Sequence, residues 1–594
     1  MLLTADFETT TSEEDCRVWA WAVCEIGNPE FFKYGNTIDE FFEYMRTSKN
    51  STFYFHNLKF DGQFILTYLF EHGFKHVTDR KDEDTNTFTT LISDSGQFYS
   101  IKIIFNKGNK RKNAVTIYDS LKILPFSVSQ IAKGFNLPIS KLEIDYTAYR
   151  AKDHQLTQDE IDYIRNDVDI VARALHTLFD QGLTKMTQGS NALFDYKRTV
   201  SMKKFEQWFP SPDYDRDIRQ SYKGGFTFLN PKYKNKDVGS GLVFDVNSLY
   251  PWVMHDCPLP YGDGIYYTGK YKPDKLYNLY VQMFTCQFEL KEGYIPTIQL
   301  KNNLAFIPTQ YLESSGAEEV TLCLTSVDLE LFFEHYNVYN VEYHSGWKFK
   351  STVGLFTEYI DKWTEVKIEA TKTGNKAMRT LAKLMLNALY GKFATNPEVQ
   401  SKIPYYDNGI VRYTMGEKET RKPVYIPVGT FITAWARHKT ITSAQKVYDH
   451  FIYADTDSLH LDIPLPAELA AMTENELATL TTAELVRYGV QLPEGFTVDP
   501  VALGAWKLES KFYRARFIRQ KSYIEDWNPP ETWGTEHYNT DLLNITCAGM
   551  PAACYEFVTW ENFVEGSTYK GKLQPKQVPG GVILKETEFT ILRS

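Results

Sequence analysis

A chain of 594 residues exceeds what one hydrophobic core serves and divides into several domains, while a formal net charge of −10 excludes a surface coated uniformly with polyanion. The seven cysteines are odd in number and none is spaced as a metal knuckle, which excludes a disulfide framework or a structural zinc and fits a reducing cytoplasm. Met1-Leu2-Leu3-Thr4-Ala5-Asp6 lacks the basic start and apolar run of a signal peptide, and no apolar run of about 18 residues follows, so a soluble, non-secreted protein without a membrane partner is expected.

From the N-terminus, Leu2 to Phe7 reads as a strand leading into Asp6-Phe7-Glu8-Thr9-Thr10, and a period of two puts Asp6 and Glu8 on one face. Ser51 to Phe55 reads as a second strand, followed by His56-Asn57-Leu58-Lys59-Phe60-Asp61-Gly62, which presents Asp61 at the start of a helix running to Leu69. Asp159 to Leu178 reads as a helix on which Tyr163 and Asp167, four apart, face the same way. Singly these are a strand-end turn residue, a helix cap and a solvated charge. Together they supply four carboxylates and a tyrosine from separated elements of an α/β domain, the inventory for two-metal hydrolysis of a phosphodiester, with Tyr163 orienting the water. Tyr118-Asp119-Ser120-Leu121 and Lys141-Leu142-Glu143 are weaker signals between them. Lys141 is either an ordinary surface lysine or a phosphate contact beside the metals.

From about residue 186 the chain turns aromatic and basic, with Lys203-Lys204-Phe205 and then Tyr222-Lys223-Gly224-Gly225-Phe226. Paired glycines let backbone N–H groups approach phosphates, although a plain tight turn explains them as well. The apolar strand Leu242-Val243-Phe244 delivers Asp245, and the chain then turns through Val246-Asn247-Ser248-Leu249 to Tyr250 and Pro251. Residues 260–357 hold short strand-like runs and no catalytic constellation.

Thr357 to Tyr390 reads as a helix interrupted near Gly374 into two antiparallel pieces. At 100° per residue Arg379, Lys383, Asn387, Tyr390 and Lys376 fall within about 80° of one another, and Leu381, Leu384, Met385 and Ala388 fall opposite, with Leu386 at the edge of the polar stripe. Such a stripe is either a solvated face or a grip for a triphosphate with a ring to stack on a base. Asp407-Asn408-Gly409 signals a hairpin, and Phe431 to Tyr448 reads as a helix.

It leads into Tyr453-Ala454-Asp455-Thr456-Asp457-Ser458, where a period of two puts Asp455 and Asp457 side by side on one face of a strand or hairpin turn. An acidic solvent-facing hairpin is the plain reading; a support for two divalent cations about 3.5–4 Å apart, with Asp245 as a third ligand, is the functional one. Residues 462–500 read as short capped helices on an exposed, non-catalytic excursion. Basic character returns with Lys507, Lys511, Arg514, Arg516 and Arg519, and in a strand Lys521 and Tyr523 share a face suited to holding a primer end. The chain closes on a turn at Pro579-Gly580-Gly581, in a small domain expected to wrap duplex DNA.

Leu384-Met385-Leu386-Asn387-Ala388-Leu389-Tyr390-Gly391-Lys392, Tyr222-x-Gly224-Gly225, Lys521-x-Tyr523 and Tyr453-x-Asp455-Thr456-Asp457, together with the three N-terminal segments, resemble family B DNA polymerases along nearly the whole chain. Within that family the sequence resembles the protein-primed branch, the replicative polymerases of small Bacillus phages with linear genomes and of related linear plasmids. The resemblance implies an α/β multidomain fold: an N-terminal RNase H-like 3′-5′ exonuclease domain (1–185) and a right-hand polymerase with two strand-rich insertions. The implied parts are palm (186–259 and 427–550, with the excursion 462–500), insertion 1 (260–357), fingers (358–395), insertion 2 (396–426) and thumb (551–594).

It also implies roles. Asp245 and Asp457, with Val246 and adjoining Asp455, form the polymerase metal site; Asp6, Glu8, Asp61 and Asp167, with Tyr163 and Lys141, form the exonuclease site. Lys367 and Lys383 contact the phosphates of the incoming nucleotide, and Tyr250, Tyr390 and Asn387 its sugar and base, the Tyr250 ring clashing with a 2′-hydroxyl. Thr9, His56, Asn57, Phe60, Ser120 and Leu121 hold the single-stranded 3′ end; Tyr222, Gly224, Gly225, Lys521 and Tyr523 hold primer-template DNA. Two Mg²⁺ (or Mn²⁺) ions per site, deoxynucleotides and a terminal priming protein, met by insertion 1, complete the expectation. Insertion 2 gives processivity and strand displacement, and the enzyme works as a monomer in the host cytoplasm. A nucleic-acid-primed repair polymerase and an inactive DNA-binding scaffold of the same fold are the rivals.

Overall fold

The computed structural model describes residues 1–48, 50–108, 112–301 and 303–593. Near the N-terminus an eight-stranded mixed sheet runs in the spatial order Asn28–Gly35, Val18–Glu25, Leu2–Thr9, Thr52–Phe55, Lys112–Asp119, Phe98–Lys107, Thr87–Ile92, Lys75–His76. The central strand Leu2–Thr9 lies parallel to Thr52–Phe55, which lies parallel to Lys112–Asp119. Alternation along Leu2–Thr9 sends Leu3, Ala5 and Phe7 into a core shared with the helix Leu58–Glu71. It sends Thr4 to the opposite face, where its hydroxyl donates to the Val168 carbonyl of the helix Gln158–Asp180 at 2.8 Å. Asp6 and Glu8 follow Thr4 on that face, toward the helix that carries Asp167.

A second, five-stranded antiparallel sheet has the order Trp506–Phe512, Gly241–Val246, Ser458–Leu461, Phe451–Asp455, Thr227–Leu229. The long helix Ile426–Lys446 and the helix Leu249–Asp256 pack on it within the largest hydrophobic core. The helices Thr357–Lys372 and Lys376–Ala388 stand beside it, joined through Gly374 at φ +69°. Leu386 is buried with Leu381, Leu384 and Met385, so the apolar face is wider than the sequence pattern indicates.

Residues 259–352 form a four-stranded sheet, ordered Leu259–Thr268, Tyr336–Thr352, Leu279–Leu290, Val320–Thr325, with its own hydrophobic cluster. Strands Asp237–Val238, Arg514–Arg519, Ser522–Asp526 and Leu543–Cys547 form another. Its cluster runs from Ile518 and Ile524 to Tyr569 and Phe589, so this core continues without a break across residue 550. The remaining hairpins are Glu398–Asp407 with Ile410–Thr420, turning at Asn408 (φ +48°) and Gly409 (φ +83°), and Thr568–Val578 with Gly581–Thr590. Both dock on the N-terminal unit: Val411, Val578, Val582 and Ile583 are members of its core.

The stretch 462–500 is not an exposed excursion. Two of its three helices are capped, by reciprocal boxes at Thr473/Glu476 and Thr481/Glu484, but Leu469, Leu477, Leu480, Leu485, Val490, Phe496 and Val498 are buried in the main core. The polar residues between these positions dominate the sequence pattern and hide the apolar spacing. Among the described residues no helix is long and apolar enough to cross a membrane. Leu485→Ala is expected to lower stability by about 2–4 kcal/mol, read as a fall in the urea midpoint, whereas an exposed leucine at this site would give less than about 0.5 kcal/mol.

Candidate active sites

On the N-terminal sheet, one carboxylate oxygen each of Asp6, Glu8 and Asp167 lie within 4.8 Å of one another, the one such group of three among the described residues. Burial first, and the Asp167 charge second, push the Asp6 carboxyl up to about 7. Glu8 and Asp61 are driven well above the usual carboxylate range by burial and then by Asp6. Asp61, on the first turn of Leu58–Glu71, completes the cluster from the other side of the strand ends.

Lys141 Nζ donates to Asp167 Oδ2 at 2.5 Å and to the Tyr163 hydroxyl at 3.2 Å. Burial works to lower the Lys141 pKa, but Asp167 holds it above the ordinary value. The Tyr163 hydroxyl also meets that of Tyr146, a residue the sequence offers only as part of a weak signal. The donor set fits a divalent cation: Asp61 Oδ1 and Asp167 Oδ1 are buried without a hydrogen-bond partner, and the mutual repulsion is of the kind a cation relieves.

These residues open onto a cleft of about 1090 Å³ lined also by Thr9, His56, Asn57 and Phe60. Lys402 and Tyr413 of the 398–420 hairpin, and Gln577 and Leu584 of the C-terminal hairpin, form its far wall. Ser120 departs from expectation. It is fully buried, with its hydroxyl donating to the Phe55 carbonyl at 3.1 Å and meeting His56 Nδ1 at 3.0 Å, so it orients His56 rather than facing a strand. Leu121 is half-buried, and its N–H, like that of Asn57, donates to the Asp119 carboxylate at 3.0 Å.

The second site forms where two hairpin tips meet. The strand Phe451–Asp455 ends at Asp455, and Thr456 and Asp457 make the turn, with Thr456 at φ +59°. The period of two therefore does not extend from Asp455 to Asp457. Asp455 turns to Lys521, whose Nζ donates to both of its oxygens at 2.7 Å, and to the Thr227 hydroxyl at 3.0 Å. Lys521 likewise lies in a turn, at φ +55°, not in a strand with Tyr523. Its N–H donates to the Tyr453 hydroxyl at 3.0 Å, and Tyr523 stacks on Phe517 at 5.2 Å.

Asp457 faces Asp245 across paired strands: Asp245 is opposite Ser458, and the Val246 N–H donates to the Asp457 carbonyl at 2.8 Å, while the Val246 side chain is in the core. Burial, then Asp457 and Glu509, push the Asp245 carboxyl up to about 7, and burial, then Asp455 and Glu509, raise Asp457. Lys507 Nζ stands 3.3 Å from Asp245 Oδ2. Glu509 is absent from the sequence inventory, although its alternation with Lys507 on Trp506–Phe512 puts both on one face.

Beside the carboxylates, burial and then Arg379 depress the Lys367 and Lys383 pKa values, with Lys507 adding to both, so four cations share one space. Tyr250 and Tyr390 stack at 4.0 Å with planes 16° apart. Asn387 is exposed on the same helix as Lys383.

The turn carrying Tyr222 owes one of its two glycines to packing. A Cβ on Gly225 would lie 2.5 Å from Thr456 Oγ1, whereas nothing lies within 4 Å of one on Gly224, and neither residue has positive φ. Arg437, unflagged by sequence, donates to the Lys223 and Gly224 carbonyls at 2.7 and 2.8 Å while paired with Asp328 at 2.8 Å.

Two carboxylate centres on separate sheets, one facing a cluster of cations and stacked rings, define a polymerase with a second acidic site. The chain belongs to the type B DNA polymerases of organellar and viral origin, whose family model matches residues 43–160 and 147–469. It is 48% identical over 601 aligned residues to the DNA polymerase of Bacillus phage Nf and 46% identical to that of Bacillus phage phi29, covering 99% of each chain in both cases. The solved structure of phi29 DNA polymerase complexed with primer-template DNA and incoming nucleotide matches with a TM-score of 0.88 and 46% identity, over 99% of both chains. The chain is thus a phi29-like DNA polymerase with the multidomain α/β architecture of exonuclease domain and right-hand polymerase.

Packing at Gly225 makes the two glycines unequal. Gly225→Ala is expected to lower primer extension about tenfold or more, while Gly224→Ala stays within about twofold, in a steady-state single-nucleotide assay. Equal losses at the two positions would refute the packing argument.

Proposed function

We propose that this polymerase replicates a linear viral or plasmid genome from a protein primer, displacing the opposite strand and proofreading its own product. The reading is carried by the placement of Asp245, on a strand paired with Ser458–Leu461, against Asp457 in the turn before that strand, beside Lys367, Arg379, Lys383 and the Tyr250–Tyr390 stack. Asp245 and Asp457, with the Val246 backbone and with Glu509 adding charge nearby, would hold metal at the polymerase site, and Asp6, Glu8, Asp61 and Asp167 would hold it at the exonuclease site. When bound, two Mg²⁺ or Mn²⁺ ions per site would supply Lewis-acid activation of the nucleophile and charge for the leaving oxygen.

A 3′-hydroxyl, or first a side-chain hydroxyl of the terminal protein, attacks the α-phosphorus of a deoxynucleotide; the new P–O bond forms as the bond to pyrophosphate breaks. Lys367 and Lys383, with Arg379 beside them, grip the triphosphate, so most of the rate comes from position and charge. Tyr390 and Asn387 seat the base pair, and Tyr250 lies under the sugar and excludes a 2′-hydroxyl. Asp455 aims Lys521, which with Tyr523 holds the primer end; Tyr222, Gly224 and Gly225 line the template path. A mispaired end frays into the N-terminal cleft, where Thr9, His56, Asn57, Phe60 and Leu121 grip it. Tyr163 orients the attacking water, and Lys141 faces the scissile phosphate.

In this reading residues 1–185 are the exonuclease domain, 186–259 and 427–550 palm, 260–357 the insertion that meets the terminal protein, 358–395 fingers, 396–426 the processivity insertion and 551–594 thumb. The enzyme works in the cytoplasm of the host cell.

The test is a primed single-stranded circle with Mg²⁺ and four deoxynucleotides. The wild type is expected to copy the circle many times over; Asp457→Ala abolishes synthesis by about a thousandfold or more and spares 3′ digestion of a single strand, and Asp6→Ala does the reverse. Chelation stops both activities. Synthesis ending after one lap would remove strand displacement, and digestion without synthesis in the wild type would remove the polymerase.

A further inference from the structure

The segment Asp499–Ala505, which leads out of the 462–500 stretch, shares four hydrogen bonds with one residue of the Asp245–Tyr250 turn. The Asn247 N–H donates to the Ala505 carbonyl at 2.9 Å, and the Gly504 N–H donates to the Asn247 carbonyl at 2.8 Å. The Asn247 side-chain amide donates to the carbonyls of Val501 and Ala502 at 3.0 and 3.2 Å.

The turn needs such support. Ser248 has φ +57°, a left-handed conformation that costs a non-glycine residue free energy, and as N-cap of Leu249–Asp256 it makes no side-chain capping bond. Tyr250 is the second residue of that helix and Asp245 lies two residues before Asn247, so both take their positions from a turn held from outside.

The segment is itself prepared. The Asp499 carboxylate accepts the Val501 and Ala502 N–H groups at 2.8 and 3.0 Å, a local turn that aims both carbonyls at Asn247. Gly504, at φ +76°, passes under the Trp252 indole, where a Cβ would lie 2.1 Å from the ring, and the Lys439 ammonium covers the same ring at 4.6 Å. Behind it, the Asp499 N–H donates to the Trp506 carbonyl at 2.8 Å. Phe496 stacks on Trp506 at 5.8 Å and meets Phe244 edge-on at 5.4 Å, one residue before Asp245.

We propose that Asp499–Ala505 is a brace for the Asp245–Tyr250 turn, and that Asn247 is a positioning residue for selection of deoxynucleotides over ribonucleotides. This rests on the reading of Tyr250 as the residue beneath the sugar. Since that selection depends on where one ring sits, a displacement of a fraction of an ångström changes it, and changes the nucleotide KM, before it changes the capacity for chemistry.

The test uses the full-length protein with Mg²⁺, primer-template and single deoxy- or ribonucleotides. Asn247→Ala is expected to raise the deoxynucleotide KM about tenfold and to lower the deoxy-to-ribo preference about tenfold, with kcat within about threefold. Asp499→Ala, remote from the nucleotide, moves KM and preference the same way by about threefold. Digestion of a single strand from its 3′ end stays at the wild-type rate in both, which reports an intact fold. Wild-type KM and preference in both variants would overturn the brace, as would parallel loss of synthesis and digestion. A wild type that digests but makes no DNA would overturn the nucleotide-site reading, and the brace with it.

Discussion

Asp6 and Asp245 are each held near a pKa of about 7 by burial and then by a neighbouring carboxylate, so both centres carry like-charge repulsion that relaxes unless a rigid support resists it. The support is a sheet in each case. Asp6 and Glu8 project from the third strand of eight, and Asp245 from the second strand of five, each with partners on both sides. A lysine offsets part of the repulsion at each centre: Lys141 on Asp167 at 2.5 Å and Lys507 on Asp245 at 3.3 Å. Lys141 does not satisfy all the oxygens at its centre, as the unpartnered atoms of Asp61 and Asp167 show. The unpartnered oxygens at the Asp6 centre fit a divalent cation, which meets several oxygens at once.

The same need for rigidity accounts for the joins between distant parts of the chain. Gln63, two residues after Asp61, accepts from the Tyr413 hydroxyl at 2.7 Å and from the Gln577 amide at 3.1 Å with a single oxygen. Tyr413 and Gln577 come from hairpins that are separate in sequence, and both line the cleft over the Asp6 cluster. Gly581 sits against Phe64, where a Cβ would be 2.5 Å from the ring, so the C-terminal hairpin packs directly on the helix that carries Asp61. Movement of either hairpin therefore alters the wall of the cleft, and the acidic site cannot be treated as a property of residues 1–185 alone.

How far these arrangements were legible depended on the kind of backbone beneath each residue. Asp6, Glu8, Tyr163 and Asp167 lie inside regular elements, where periods of two and of four residues hold, and the structure brings them together as the spacing indicates. Asp455/Asp457 and Lys521/Tyr523 fail that rule because each pair spans a tight turn through a non-glycine residue with positive φ, Thr456 or Lys521, which nothing in the residue type announces. The family resemblance alone implies Ser120 as a strand contact, and its neighbours leave it buried beside His56. Glu509 shares a strand face with Lys507 that the period of two indicates, whereas Arg437 is placed by tertiary packing alone. The 462–500 stretch misleads in the other direction, since its aliphatic residues are spaced irregularly among charges and only the folded sheet shows the face they cover.

Both hairpin tips at the polymerase centre owe their shape to what they touch. Thr456 holds its left-handed backbone against Gly225, with its N–H donating to the Phe226 carbonyl at 2.7 Å and its carbonyl accepting from the Thr440 hydroxyl at 2.6 Å. Lys521 holds its own through the Tyr453 hydroxyl and Asp455. Behind them the buried pair of His460 and Glu525, 2.6 Å apart, ties the strand after the first tip to the strand after the second. Each strained residue is thus fixed by bonds to another element rather than by its own sequence, and the two tips keep a constant separation although they belong to different sheets. That separation sets the distance between Asp457 and Lys521, which the bonds of both tips hold fixed.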